Sequence, residues 1–188
     1  SATGVPQAPP QWHSFGPEAS YGTLVLALDN HGFLYVGGAF QAGSDNQGRY
    51  LENLVKVSCA DGNVDQAWNP QVDSISAIAF DGDGHLYASG AFGNDPVRIS
   101  TEDGQGVDPA WQPAITVASQ VTAISFNGTG SVFLGGTICP IASPDSCSAI
   151  AKVSATGSGE LDPEWNPVFL PPDNDSTWVN AMQTDAQG

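Results

Sequence analysis

The chain has 188 residues, 20 acidic and 4 basic, giving a formal net charge of −16; such a surface repels phosphate backbones and anionic bilayers, which argues against nucleic acid as a partner. Apolar residues make up 40% of it, too many for a disordered polymer. No run of about eighteen apolar residues occurs, so membrane insertion by a helix is not expected.

The N-terminal stretch Ser1-Ala2-Thr3-Gly4-Val5-Pro6 has neither the basic nor the apolar region of a signal peptide, which suits a mature secreted protein as well as a cytosolic one. A first unit then begins. The apolar run Leu24–Leu28 reads as a strand, and Asp29 followed by Gly32 is the signature of a tight turn, with the acid bonding a nearby amide. Phe33–Val36 is a second strand, expected to end at the small doublet Gly37-Gly38. After a variable loop at 41–53, Leu54–Ser58 is a third strand. Gly62 turns the chain, and Asp65-Gln66-Ala67-Trp68-Asn69-Pro70 is expected to add a short fourth strand that proline terminates. Cys59 occupies the register held later by Thr101 and Ala155, so it reads as a small packed residue.

The same order returns twice. Ile75–Phe80, the Asp81…Gly84 turn, Leu86-Tyr87, the doublet Ser89-Gly90, Val97-Arg98-Ile99-Ser100, Gly104 and Asp108…Trp111-Gln112-Pro113 make a second unit. Val121–Phe126, the Asn127…Gly130 turn, Val132-Phe133, Gly135-Gly136, Ile150–Ser154, Gly157 and Asp162…Trp165-Asn166-Pro167 make a third. Trp178–Met182 with Asp185…Gly188 opens a fourth, and Gln11-Trp12-His13 resembles the closing segment of a preceding one. A period of about fifty residues marks a solenoid, propeller or array, in which a unit buries its face only against its neighbours.

Four short antiparallel strands per period match a propeller blade. The expected fold is all-β, a β-propeller-like tandem of four-stranded blades in one repeat domain, 1–188. Complete blades cover about 21–70, 71–113 and 114–167, with partial units at 1–20 and 168–188. A helical solenoid is ruled out by the absence of any 3.6-residue apolar stripe, and by 22 Gly with 14 Pro. Each motif tryptophan is expected to pack between blades, where one rigid ring covers two sheets; the competing role is ligand stacking from an exposed position. Incomplete end units predict either a longer propeller, the preferred reading, or completion by a neighbouring protomer.

No catalytic, cofactor-binding or metal-binding residue stands out. Asp81-Gly82-Asp83-Gly84 looks like the start of a calcium loop, but Asp81 aligns with Asp29, Asn127 and Asp185, so turn geometry already explains it. Asp173-Asn174-Asp175 reads as a solvated loop. His13, His31 and His85 lack metal-ligand spacing, and no serine sits in a nucleophile elbow. Asn127-Gly128-Thr129 and Asn174-Asp175-Ser176 fit the N-glycosylation pattern, the first being better explained as a turn. Cys139 and Cys147, eight positions apart in an insertion rich in Pro, Ser and Asp, are expected to close a disulfide loop if the compartment is oxidising, and to be free thiols otherwise.

The run Gly32–Phe40, then Asn53-Leu54-Val55-Lys56-Val57, then Gly62-Asn63-Val64-Asp65-Gln66-Ala67-Trp68-Asn69-Pro70 resembles the delta-60 repeat, a β-propeller repeat of bacterial secreted and surface proteins. The likeness extends from about residue 21 to 188. It implies an extracellular, non-catalytic propeller module of a larger protein, and little chemistry. Kelch repeats share the glycine doublet but place their aromatics elsewhere. Residues 155–165 look somewhat like a quinoprotein docking motif, without the calcium ligands those enzymes need. The expected function is therefore a non-enzymatic, extracellular module contacting a protein or cell-surface ligand, with specificity in loops 41–53, 139–149 and 168–177. A carbohydrate-binding propeller is the alternative, and a fragment of a secreted quinoprotein-type oxidoreductase the remoter one. A homo-oligomer and the remainder of a longer chain are both admissible partners.

Overall fold

The computed structural model describes residues 25–90, 96–104, 106–116, 119–165, 167 and 179–185. The partial unit at 1–20, Trp12, His13, loop 168–177 with its acidic triplet and second glycosylation pattern, and Trp178 lie outside the described residues. Among those described there is no helix, hence none long and apolar enough to cross a membrane. Nine strands form three separate antiparallel sheets in chain order, β1-β2-β3, β4-β5-β6 and β7-β8-β9. The first comprises β1 Val25–Leu28, β2 Phe33–Ser44 and β3 Tyr50–Ser58. The second comprises β4 Ala77–Phe80, β5 His85–Ser89 and β6 Val97–Ser100. The third comprises β7 Gln120–Phe126, β8 Ser131–Ile138 and β9 Ser148–Ser154. One sheet falls within each of the ranges 21–70, 71–113 and 114–167.

Each sheet opens with the hairpin that its turn residues dictate. The Asp29 Oδ1 atom accepts the His31 and Phe33 amides, both at 2.8 Å. Asp81 Oδ1 accepts the amides of Asp83 and His85, and Asn127 Oδ1 those of Thr129 and Ser131. One side chain thus satisfies two turn amides that the ladder cannot reach. Of the oxygens that made Asp81 look like a cation ligand, Oδ1 is spent on its own backbone, as turn geometry requires, and Oδ2 faces His85 Nδ1 and the Tyr87 hydroxyl.

Three expectations about the units need correction. The Asp-x-x-Trp segment is not a fourth strand: its ladder pairing with β3, β6 and β9 is confined to the single bridges Val57↔Val64, Ile99↔Val107 and Val153↔Leu161. The aspartate accounts for this. Asp65 Oδ1 takes the Ala67 amide and the Asp65 carbonyl takes the Trp68 amide, so the chain curls into a turn where a ladder would have continued. The small doublet ends the second strand in the second unit, where β5 stops at Ser89, but not in the first and third, where β2 runs on to Ser44 and β8 to Ile138, each with a register shift beyond the doublet. A Cβ on Gly37 would lie 2.8 Å from Ile75 Cγ2, so the missing side chain admits the next sheet and the strand itself continues. Finally, 41–53 is largely the far end of the β2–β3 hairpin, with its turn at 45–49. Asp45, buried there, accepts the Gln47 and Arg49 amides, Arg49 Nε at 2.7 Å and Asn69 Nδ2 at 3.0 Å. Burial opposes its charge, but these donors outweigh burial and hold the carboxyl below the usual carboxylate range.

The core lies mainly between sheets. One cluster joins Tyr35, Leu54 and Trp68 of the first sheet and its following turn to Ile75, Leu86, Ala88 and Ile99 of the second. Another joins Tyr87 and Trp111 to Val121, Ile124, Val132 and Leu134 of the third. A third cluster, Val36, Phe40, Ala42, Leu51, Val55 and Val57, lies within the first sheet. Three strands cannot bury both faces alone, so most of the apolar area leaves water only when the sheets stack.

Candidate interaction surface

The junction between successive sheets is built from an aromatic pair and a cation. At the first junction the Trp68 ring is 1% exposed and meets Tyr35 edge-on at 5.2 Å. Its Nε1–H donates to the Ser100 carbonyl at 2.9 Å. Lys56 Nζ reaches across to the Thr101 carbonyl at 2.8 Å and sits 4.2 Å above the Phe33 ring centre, which offsets the cost of burying the ammonium. Tyr35 also packs on Phe80 at 4.9 Å. Burial, with the Asp29 charge adding to it, pushes the Tyr35 phenol well above its ordinary range.

The second junction repeats these contacts. Trp111, 1% exposed, meets Tyr87 at 5.1 Å and donates to the Ser154 carbonyl at 2.9 Å. Arg98 pairs with Asp108 through Nε at 3.0 Å and through Nη2, and its Nη1 donates to the Ala155 carbonyl. Tyr87 stacks on Phe126 and donates to the same Ala155 carbonyl at 3.1 Å. Burial, with Asp81 adding to it, pushes this phenol up to about 12. The Arg98 guanidinium holds the Asp108 carboxyl below its usual range. Both tryptophans thus pack between sheets, as expected, and neither is free to stack on a ligand.

The third sheet presents the same groups with less against them. Trp165 meets Phe133 at 5.0 Å, and Lys152 Nζ binds Asp162 at 2.9 Å, lowering the Asp162 carboxyl. Residues 179–185 cover part of this face. A Cβ on Gly135 would lie 2.7 Å from Val179, and Thr184 donates to the Phe126 carbonyl at 2.7 Å and bonds Ser125. Beside them is a groove of about 570 Å³ lined by Phe133, Ile150, Trp165, Met182 and their neighbours. No described residue accepts the Trp165 indole N–H, and that ring is only partly buried.

The opposite face of the first sheet is also open in part. Leu26 and Leu28, 60% and 67% exposed, hold the positions at which Ile78 and Phe80 meet the first junction. Cys59 is a free, exposed thiol, which corrects its reading as a packed residue. Its counterparts Thr101 and Ala155 are covered by the sheet before them, and no preceding sheet stands against Cys59 among the described residues.

Cys139 and Cys147 are joined in a disulfide. Cys139 is buried, and its carbonyl accepts the Thr116 amide at 2.7 Å. The loop it anchors, 141–147, is exposed throughout and carries Ile141 at its start, 61% exposed. His31 and His85 line a separate cavity of about 230 Å³ with Asp29 and Asp81, where His85 Nδ1 lies 2.8 Å from Asp81 Oδ2. No group of three or more His, Cys, Asp or Glu able to hold a metal occurs among the described residues.

What sequence reasoning did not assign is the work of the cations. The recurring (Lys/Arg)-(Val/Ile)-Ser triplet was the available signal: Arg98 donates forward to Ala155 while the Ser100 carbonyl accepts from Trp68 behind it, Lys56 makes the forward bond and Ser154 the backward one. No protein-family model and no curated protein sequence matches the chain.

Proposed function

We propose that this protein is a non-enzymatic, extracellular binding module of the β-propeller kind, contacting a protein or cell-surface ligand through loops carried on stacked sheets. The observation that carries this reading is the cross-linked loop 139–147. A loop closed on itself by a disulfide to the buried Cys139 loses little entropy on binding, and an exposed apolar side chain at its start is the usual chemistry of an interface anchor. The disulfide favours an oxidising compartment, and the delta-60 resemblance points the same way.

Replacing residues 140–146 by a Gly-Ser linker of equal length, with both cysteines kept, is expected to abolish binding of the labelled chain to intact cells while shifting Tm by no more than about 2 °C. Collapse of the fold would make the loop structural. Loss of binding after protease treatment of the cells would identify a protein ligand. Saturable binding to a glycan array that disappears on changing Tyr50, which is 60% exposed, would establish the carbohydrate reading.

A further inference from the structure

At the tip of the β2–β3 hairpin a polar network fixes the main chain and leaves one aromatic ring in water. The Tyr50 carbonyl accepts from Asn69 Nδ2 at 3.1 Å and from Gln71 Nε2 at 2.9 Å. Gln71 also donates to Asn69 Oδ1 at 2.8 Å, and Asn69 donates to the buried Asp45. Among the described residues only Asn53 and Gln71 combine a side chain with a left-handed backbone, at φ 63° and 55°. Both belong to this corner, where Asn53 Nδ2 donates to the Val72 carbonyl at 2.8 Å. Two strained residues thus hold the backbone of a side chain that itself stays 60% exposed, an arrangement that presents the ring and does not bury it.

The strand register decides what stands beside that ring. Ser44 pairs with Tyr50 and Gln41 with Glu52. Paired residues share a face, and positions 50 and 52 lie on the same side of β3, so Gln41, Ser44, Tyr50 and Glu52 form one face. The extra residue of β2 between the two pairs is a bulge that keeps both in place, while Ala42 and Leu51 enter the core cluster of the first sheet. Arg49 stands at the margin. Its Nε is tied to Asp45 at 2.7 Å, its side chain is half exposed, and no described residue accepts its Nη protons. The other three cations are already engaged, Lys56 and Arg98 across junctions and Lys152 with Asp162.

We propose that this face binds a neutral saccharide, one pyranose unit laying its C–H face on Tyr50 while its hydroxyls meet Glu52, Gln41, Ser44 and Arg49. The inference rests on the reading of the protein as a binding module and adds a second contact to it. A sugar hydroxyl donates and accepts at once, so it needs neighbours of both kinds: the carboxylate accepts, the guanidinium donates, and the amide and serine hydroxyl do both. Tyr50 supplies a rigid apolar plate about the size of one sugar ring. Charge selects against acidic sugars. Arg49 is already neutralised by Asp45, Glu52 has no paired cation among the described residues, and the chain carries −16 overall. A protein anchor would need apolar neighbours that exclude water from the ring, whereas residues 43–49 are Gly, Ser, Asp, Asn, Gln, Gly and Arg. The β2–β3 and β8–β9 hairpins each join a second strand to a third, so this tip and loop 139–147 leave corresponding ends of their sheets.

The probes are a soluble β-glucan, a xylan and a galactomannan, each cast into a native gel through which the full chain is run, with polygalacturonate as the acidic counterpart. Migration is expected to slow in at least one neutral gel and to be unaffected by polygalacturonate. Tyr50→Ala should raise the dissociation constant at least about tenfold, as truncating an aromatic anchor does, while Tm moves by no more than about 2 °C. Tyr50→Trp, which keeps a plate, should retain binding. Arg49→Lys should give a smaller loss, because an ammonium held by Asp45 has no planar fork left to offer. Retardation in none of the neutral gels, equal retardation in polygalacturonate, or retardation indifferent to Tyr50→Ala overturns the proposal. So does binding to intact cells that depends on Tyr50 and survives periodate, which cleaves vicinal diols, but is lost after protease treatment, since the partner of this face is then a protein. The linker replacement at 140–146 leaves gel retardation intact, so failure of the loop reading and failure of this one are told apart.

Discussion

Trp111 and Trp165 close nearly the same motif, Asp-Pro-Ala-Trp in one case and Asp-Pro-Glu-Trp in the other, and each leans on an aromatic residue of its own sheet. One is almost fully buried with its indole N–H bonded to Ser154; the other is partly exposed, and no described residue accepts its proton. The motif therefore prepares a docking group, and the neighbouring sheet alone turns preparation into stability. A ring placed by an aspartate turn stays near its aromatic partner whether or not anything arrives to cover it.

The largest expected effect sharpens this contrast directly. Trp111→Ala removes a buried ring and orphans the Ser154 carbonyl, and should cost about 3–5 kcal/mol in chemical denaturation. Trp165→Ala should cost about 1 kcal/mol or less. Equal costs would mean that the third face is covered as fully as the second. A smaller difference is expected between glycines. Gly104 combines a φ of 55° with contact against Trp68, so Gly104→Ala should lose roughly 2–4 kcal/mol by thermal or urea unfolding. Gly62, at a φ of 74° with open space around its Cβ position, should lose only about 1 kcal/mol from the backbone itself.

The smallest effect is read in acid. Asp108 and Asp162 both have carboxyls lowered by their basic partners. A folded-state value below the unfolded one means that ionisation stabilises the fold. That contribution is complete above the ordinary carboxylate value near pH 4 and is lost as pH falls through the lower folded value. Tm should therefore drop below about pH 4, and Asp108→Asn should flatten the drop more than Asp162→Asn, because Arg98 also ties the next sheet through Ala155. Identical profiles would show that the carbonyl contact adds nothing to the pair.

Much of the local structure was legible from residue order. The three opening hairpins follow from Asp29, Asp81 and Asn127, whose side chains do the work of a ladder bond within four residues. Spacing and composition left the Cys139–Cys147 pair as either a disulfide or two free thiols, and the structure has the disulfide. The fourth strand was misread because the Asp-x-x-Trp segment has a strand's apolar anchor and a terminating proline, while the aspartate's preference for its own backbone amides is equally local and wins. The stretch 41–53 looked like a loop because Gly43, Ser44, Asp45 and Gly48 carry turn chemistry, yet that chemistry serves a turn of five residues at the tip of a longer hairpin.

From its own order of residues the chain determines where it turns, which strands pair, and which side chains are presented at a sheet's face, since each of these depends on neighbours within a few positions. Which presented groups are buried was decided only in three dimensions. The exposure of Cys59, the covering of its counterparts Thr101 and Ala155, and the difference between Trp111 and Trp165 all depend on whether another sheet lies alongside. Burial belongs to a junction, and a junction is made by residues some thirty to seventy positions apart, beyond the reach of any local pattern.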